Sequence, residues 1–341
     1  MKNFQEIYPD FNPSSPGTPG TFFGLPHTLE QANLVILSIP WDLTVSYHEG
    51  ASDGPAAIKE ASLQVDLSIL GIKDAWSAGM VEYPYPNHLH LRSKELRTKA
   101  VNNSIDSIEE INQASRQLNQ WVRESAIDLL SKDKLVIALG GDHSTPLGLI
   151  QALAAKHDSF GILQIDAHAD LRDSYEGYDF SHASIMYNAL KIPEISTLVQ
   201  VGIRDFCKEE QEFMEKSLDR IHTFFWQDTT DQLFSGKNWE ELCLEMIEPL
   251  PNMVYVSFDI DGLNPGLCPN TGTPVPGGLD FYQAIFLIRM LVESGRTIIG
   301  VDLSEVSPGT ENDWDANVGA RILYYLAGWT AVSNGYLERT L

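Results

Sequence analysis

Cysteine is scarce in this sequence: Cys207, Cys243 and Cys268 are the only three, with no CxxC spacing. That excludes a disulfide framework or a thiolate zinc site as the organising element. Basic charge is scarce as well. Twenty-three Lys and Arg face 47 Asp and Glu, a formal charge of −24. A phosphate backbone would be repelled, so no nucleic-acid partner is expected, whereas a cationic ligand would be drawn in. Long apolar runs are missing too. Nothing reaches the roughly 18 uninterrupted apolar residues of a membrane span, and no membrane association is expected. The opening residues, Met1 to Glu6, lack the basic start and apolar stretch of a signal peptide, which makes a cytoplasmic location the expectation.

What is present suffices for a large core: 43% of the 341 residues are hydrophobic. Residues 1–30, with Pro13-Ser14-Ser15-Pro16-Gly17-Thr18-Pro19-Gly20, read as a loop-like arm that either wraps the domain or meets a neighbouring subunit. From residue 31 onward, short apolar runs alternate with helical patterns, and no linker divides the rest. Strands are expected at Leu34–Ile39, Leu135–Leu139, Phe160–Ile165, Leu198–Gly202, Met253–Phe258 and Thr297–Val301. Helices are expected from Gly54, with Pro55 in the first turn, over about 101–131, and in the later gaps. Near-continuous apolar strands separated by helices indicate an α/β fold, with a parallel sheet covered on both faces.

Three Asp/His clusters follow such runs: Gly140-Gly141-Asp142-His143-Ser144, Asp166-Ala167-His168-Ala169-Asp170, and Ser257-Phe258-Asp259-Ile260-Asp261-Gly262. Each sits at the carboxyl end of a strand, the edge where open α/β sheets bind ligands. Alternate residues of an extended chain point the same way, so Asp166, His168 and Asp170, like Asp259 and Asp261, are expected to face one side. Four carboxylates with His143 and His168 form a hard, oxygen-rich donor set. It favours manganese, with nickel, cobalt or iron as alternatives, over structural zinc. Six ligands suit two ions about 3.5–4 Å apart, and a water between them would ionise near pH ~7. A lone Asp-x-His would be a cap or a core polar feature; three at three strand ends form one site.

GGDHS, DAHAD and SFDIDGLNP resemble the three signatures of the ureohydrolase superfamily, which contains arginases, agmatinases, guanidinobutyrases and formimidoylglutamases. The resemblance runs from about Leu34 to Leu326 and includes the Gly50-x-x-x-Gly54-Pro55-x-x-Ile58 loop. It implies a single three-layer α/β/α catalytic domain over residues 31–341, around a mainly parallel eight-stranded sheet. It also implies two Mn2+ per chain, with Ni2+ or Co2+ as alternatives. One ion would take His143, Asp166, Asp170 and Asp259; the other would take His168, Asp166, Asp259 and Asp261. Asp170 would orient the attacking water or take its proton, His182 would shuttle protons, and Glu305 would hold a guanidinium. The four aspartates balance two divalent ions, and a hydroxide with Glu305 then makes the site negative, which suits a cation. A homo-oligomer, trimer or hexamer, is implied as well.

Within the superfamily, Thr271-Gly272-Thr273-Pro274 resembles the arginase and agmatinase version. The loop Asp173 to Tyr187 is similar to that of agmatinases, and no Lys or Arg lies between Asp173 and Lys191 to meet a substrate carboxylate. Agmatine, cleaved to urea and putrescine, fits best. Guanidinobutyrate, arginine, guanidine and formimidoylglutamate are the alternatives, and a metal-binding pseudoenzyme is a further one. A single-zinc hydrolase is disfavoured by the implied bridging aspartates. Asn264, where the family usually has Asp, and His48 and Ser52, where it often has Arg, depart from the pattern.

Overall fold

The computed structural model of the chain describes residue 8, residues 11–100 and residues 105–340. Eight strands form one sheet among these residues: β1 Leu34–Ile39, β2 Met80–Tyr83, β3 Leu135–Gly140, β4 Phe160–Ile165, β5 Ile195–Ile203, β6 Ile221–Phe225, β7 Met253–Asp259 and β8 Thr297–Ser304. Their order is β2-β1-β3-β8-β7-β4-β5-β6, and every pairing is parallel. The two edge strands, β2 and β6, are the ones the apolar-run reading leaves out. Both are half-buried along most of their length, so neither carries the continuous apolar run of a strand covered on both faces.

The period-2 pleat divides the core into two layers. In β3, Leu135, Ile137 and Leu139 join the layer under α9 (Phe281–Glu293) and α10 (Trp314–Ser333). Val136 and Ala138 point instead to the layer under α3 (Ile105–Ser131) and α4 (Leu147–Ala154). Each Leu or Ile withdrawn from water here contributes about 1.5–3 kcal/mol before chain entropy is counted.

The remaining helices are α1 Gly54–Ala61, α2 His88–Ala100, α5 Ile185–Leu190, α6 Lys208–Lys216, α7 Trp226–Phe234 and α8 Trp239–Ile247. The helix expected over 101–131 begins at Ile105 among the described residues, and Val101 lies outside them. Ahead of it, α2 is a separate helix with little apolar periodicity, which hid it from the pattern reading. In the segment before residue 31, Phe22, Phe23 and Leu25 are buried in the core, around the 3-10 turn Phe22–Gly24. No helix among the described residues is long and apolar enough to cross a membrane.

Candidate metal centre

The functional loops leave four consecutive strands in the middle of the sheet, β3, β8, β7 and β4. After β3 the chain makes a close turn. A Cβ on Gly141 would lie 2.1 Å from the Trp41 carbonyl oxygen, so only glycine passes here without displacement. The turn delivers His143 to the centre. Its Nε2 is 2.8 Å from Ser257 Oγ and 3.7 Å from Asp302 Oδ2, and Asp302 in turn accepts the Tyr255 hydroxyl at 2.6 Å. With Nε2 held by Ser257, Nδ1 is the free ligand atom.

That Nδ1 lies 3.1 Å from Asp166 Oδ2, 2.9 Å from Asp170 Oδ2 and 3.3 Å from Asp259 Oδ2. Yet it has no hydrogen-bond partner. A buried nitrogen aimed among three carboxylates without bonding to any of them is the arrangement of ligands around a cation, and the residues fit a divalent ion. A second group adjoins it. His168 Nδ1 is 3.0 Å from Asp261 Oδ2 and 3.6 Å from Asp166 Oδ1. The ligand atoms therefore gather in two groups, His143–Asp166–Asp170 and Asp166–His168–Asp261, with Asp166 common to both. Asp166 turns one oxygen to each. Asp259 brings one oxygen to the first group, while its other accepts the Asp261 N–H at 2.9 Å.

The alternation expected of an extended chain is not what brings these ligands together. β4 ends at Ile165, Asp170 has φ 55°, and Asp261 lies in the 3-10 turn Ile260–Gly262. Convergence comes from hydrogen bonds within and between the loops. Asp166 Oδ1 accepts the His168 N–H at 2.6 Å, and Asp261 Oδ1 accepts the Ala167 N–H at 3.0 Å. Beneath them, Gln164 donates to Asp166 Oδ2 at 2.7 Å, and Gln200 donates to Gln164 Oε1 at 2.7 Å. Arg204 spans the same floor, donating to the carbonyls of Asp261, Leu263 and Val275. The two glutamines were legible as polar interruptions of buried strands, which a fold keeps only when they are bonded. Arg204 gave no such signal.

Glu305 is 4% exposed and follows β8 in a left-handed conformation, φ 63°. Such a backbone costs on the order of 1–3 kcal/mol and persists only where contacts hold it. Here its N–H donates to Gly141 O at 2.8 Å and its carbonyl accepts the Thr271 hydroxyl at 2.8 Å. Its Oε1 accepts the His143 N–H at 2.9 Å, leaving Oε2 buried and unpartnered. Asp170 has the same kind of backbone, fixed by the N–H groups of Met186 and Tyr187 on its carbonyl.

The electrostatics point the same way. Burial raises Asp170 to about 7, with the charge of Asp166 adding to it. Asp259 and Glu305 are likewise raised well above the carboxylate range, first by burial and then by neighbouring acids. Burial opposes charge on His143 and His168, yet the facing carboxylates raise both well above the usual imidazole value. Protons thus occupy the places where the donor set calls for cations.

A cavity of about 140 Å³ opens on this floor, lined among others by His168, Asp170, His182, Tyr175, Arg172 and Asp205. His182 lies half-buried at its edge, with Nε2 3.4 Å from Ser46 Oγ. Burial and then the charge of His168 push its imidazole down to about 3, so it is neutral at pH 7. Arg172 stands one residue before the interval read as free of basic residues, which is why sequence reasoning missed it. Its guanidinium is already engaged, over the Tyr175 ring at 4.7 Å and 3.8 Å from Glu210. His48 donates its backbone N–H to Gly272 O, and Ser52 donates its own to Asp42. Asn264 accepts the Gly266 N–H, closing a turn.

The profile of the Arginase family matches residues 32–328. An N(1)-aminopropylagmatine ureohydrolase of Thermus thermophilus is 31% identical over 317 residues, covering 91% of this chain and 94% of that one. An agmatinase of Pyrococcus horikoshii is 30% identical over 311 residues, covering 89% and 94%. Among solved structures, an agmatine ureohydrolase of Thermoplasma volcanium shares the fold with TM-score 0.72 at 23% identity, covering 96% of this chain and 97% of that one.

Proposed function

The chain belongs to the arginase family of hydrolases, and from that premise we propose that it cleaves agmatine to urea and putrescine. The observation that carries this reading is the unpartnered Oε2 of Glu305, a buried carboxylate oxygen beside the cage with a bond to offer. A guanidinium presents the planar fork of donors that such an oxygen accepts. His143, Asp166, Asp170 and Asp259 would hold one Mn2+, and His168, Asp166, Asp259 and Asp261 the second, with Ni2+ or Co2+ as alternatives. When bound, the ions would supply a water ionised near neutral pH and positive charge to balance the charge that develops in the reaction.

The chain's own residues divide the remaining work. Glu305 holds the guanidinium so that its carbon faces the cage. Asp170, fixed by two backbone N–H groups on its carbonyl, orients the attacking water or takes its proton. His182, neutral at pH 7, carries a proton between the cavity and the leaving amine.

A longer cation, agmatine bearing an aminopropyl group, is the second reading, favoured by the name of the Thermus thermophilus relative. A cytoplasmic homo-oligomer completes the proposal, checked by light scattering and cell fractionation. The test of function is a urea-release screen with Mn2+, Ni2+ and Co2+ loaded separately. Urea from agmatine or aminopropylagmatine is expected. Release from neither, or from guanidinobutyrate alone, contradicts the proposal.

A further inference from the structure

The first signature contains an acid, Asp142, to which neither the cage nor the substrate reading gives a task. It is fully buried. Its Oδ1 accepts both the backbone N–H and the hydroxyl of Ser144, while Oδ2 faces Thr44. The Thr44 hydroxyl donates to Oδ2 at 3.2 Å and the Thr44 N–H lies 3.4 Å from it. A hydroxyl that donates still has lone pairs to offer. Thr44 Oγ1 accepts the backbone N–H of His182 at 3.1 Å.

One buried oxygen therefore joins two loops far apart in sequence. His182 opens the 3-10 turn His182–Ser184, where a first N–H has no partner within the turn. Thr44 supplies that partner from a fully buried position, which shields the bond from water on that side. The contacts of the His182 ring itself are looser: Ser46 Oγ at 3.4 Å, Ser181 Oγ at 3.3 Å and the Tyr175 ring edge-on at 6.1 Å.

We propose that Thr44 is the positioning residue for His182. Its hydroxyl, anchored on Asp142, ties the His182 loop to the first signature and fixes where the imidazole stands at the cavity. The proposal rests on the proton-relay role given to His182 above.

The experiment compares the full-length chain with Thr44→Val, which keeps the shape but removes the acceptor, and with Thr44→Ser and Thr44→Ala. In the metal-free protein, hydrogen–deuterium exchange of the peptide spanning residues 178–186 reads the bond directly. Exchange at His182 is expected to accelerate about tenfold or more in Thr44→Val and Thr44→Ala, and to stay near wild type in Thr44→Ser. With Mn2+ and agmatine, kcat is expected to fall about tenfold in Thr44→Val, with KM changed less than about twofold and metal content unchanged. Adding Thr44→Val to His182→Asn is expected to cost nothing further.

Wild-type exchange in both Thr44→Val and Thr44→Ala overturns the proposal, as does an equal kcat loss in the His182→Asn background. Should Thr44→Val not fold, Thr44→Ala and Thr44→Ser decide it. Absence of urea release by the wild-type protein would count against the proposed activity, while the exchange measurement still decides the bond.

Discussion

At the floor of the cavity, His143, Asp166 and Glu305 expose 1%, 0% and 4% of their surface, and their contacts are shared among four adjacent strand ends. At the mouth, the side chain of Asp205 exposes 66%, Arg172 lies over a tyrosine, and the loop from Asp173 to Ser181 carries only turns and one isolated bridge, Tyr175 to Tyr178. The floor is tightly held: Ser257 fixes His143, Gln164 fixes Asp166, and the His143 N–H fixes Glu305. The mouth is adjustable, with exposed charges that water can serve. Chemistry placed on the floor is hard to alter without losing the fold, whereas choice of substrate tail can be changed at the mouth at little cost.

The largest effect should follow from cutting Asp166, which turns one oxygen to each ligand group. Asp166→Ala is expected to lower urea release on the order of 10⁴-fold and to leave fewer than two ions per chain by elemental analysis. If the floor tolerated this change, its division into two groups joined by Asp166 would be wrong. Glu305→Gln keeps an acceptor for the His143 N–H but removes the charge proposed to meet a guanidinium. A loss of about 3 kcal/mol, roughly 10²-fold in kcat/KM, is expected with metal content unchanged, separating substrate binding from metal binding on the same floor.

The third prediction concerns pH. In metal-free protein, Asp170, Asp259 and Glu305 hold protons above their usual values, and so do His143 and His168. The folded state then binds more protons than the unfolded one, so stability falls as pH rises from the ordinary carboxylate value through about 7. His27, His157 and His182, held below the usual imidazole value by burial, pull the opposite way in this range, but they are fewer. Thermal melts of chelated protein should give a falling Tm from pH 5 to pH 8. Manganese should restore stability most at the upper end, because metal displaces protons. A flat profile would deny that the floor is built around positive charge.

The smallest effect belongs to the mouth. Asp205→Asn is expected to raise KM for agmatine about threefold, within the range of an exposed ion pair, while leaving butylguanidine, which lacks the terminal amine, unaffected. Equal changes for both substrates would assign Asp205 to the floor, through His168, rather than to the mouth.

The same division explains what was readable in the sequence. Buried strands with continuous apolar runs, such as Leu135–Leu139, announce themselves, and three of the six are followed by an acidic cluster. Half-buried β2 and β6 do not, because one side of each needs no apolar residue. His143, Asp166 and Asp261 could be placed because motif and strand end coincide. Their grouping could not, since it depends on loop hydrogen bonds such as Asp261 to the Ala167 N–H, between residues far apart in the chain. Arg172, Asp205 and Thr44 reach the site through tertiary packing alone, and nothing in their neighbours' sequence marks them.

The most direct test of the account is a titration of metal-free protein with Mn2+, followed by electron paramagnetic resonance. Two ions per chain, magnetically coupled because they share Asp166 and Asp259, is the predicted result. One ion per chain, or two that remain magnetically independent, would contradict it.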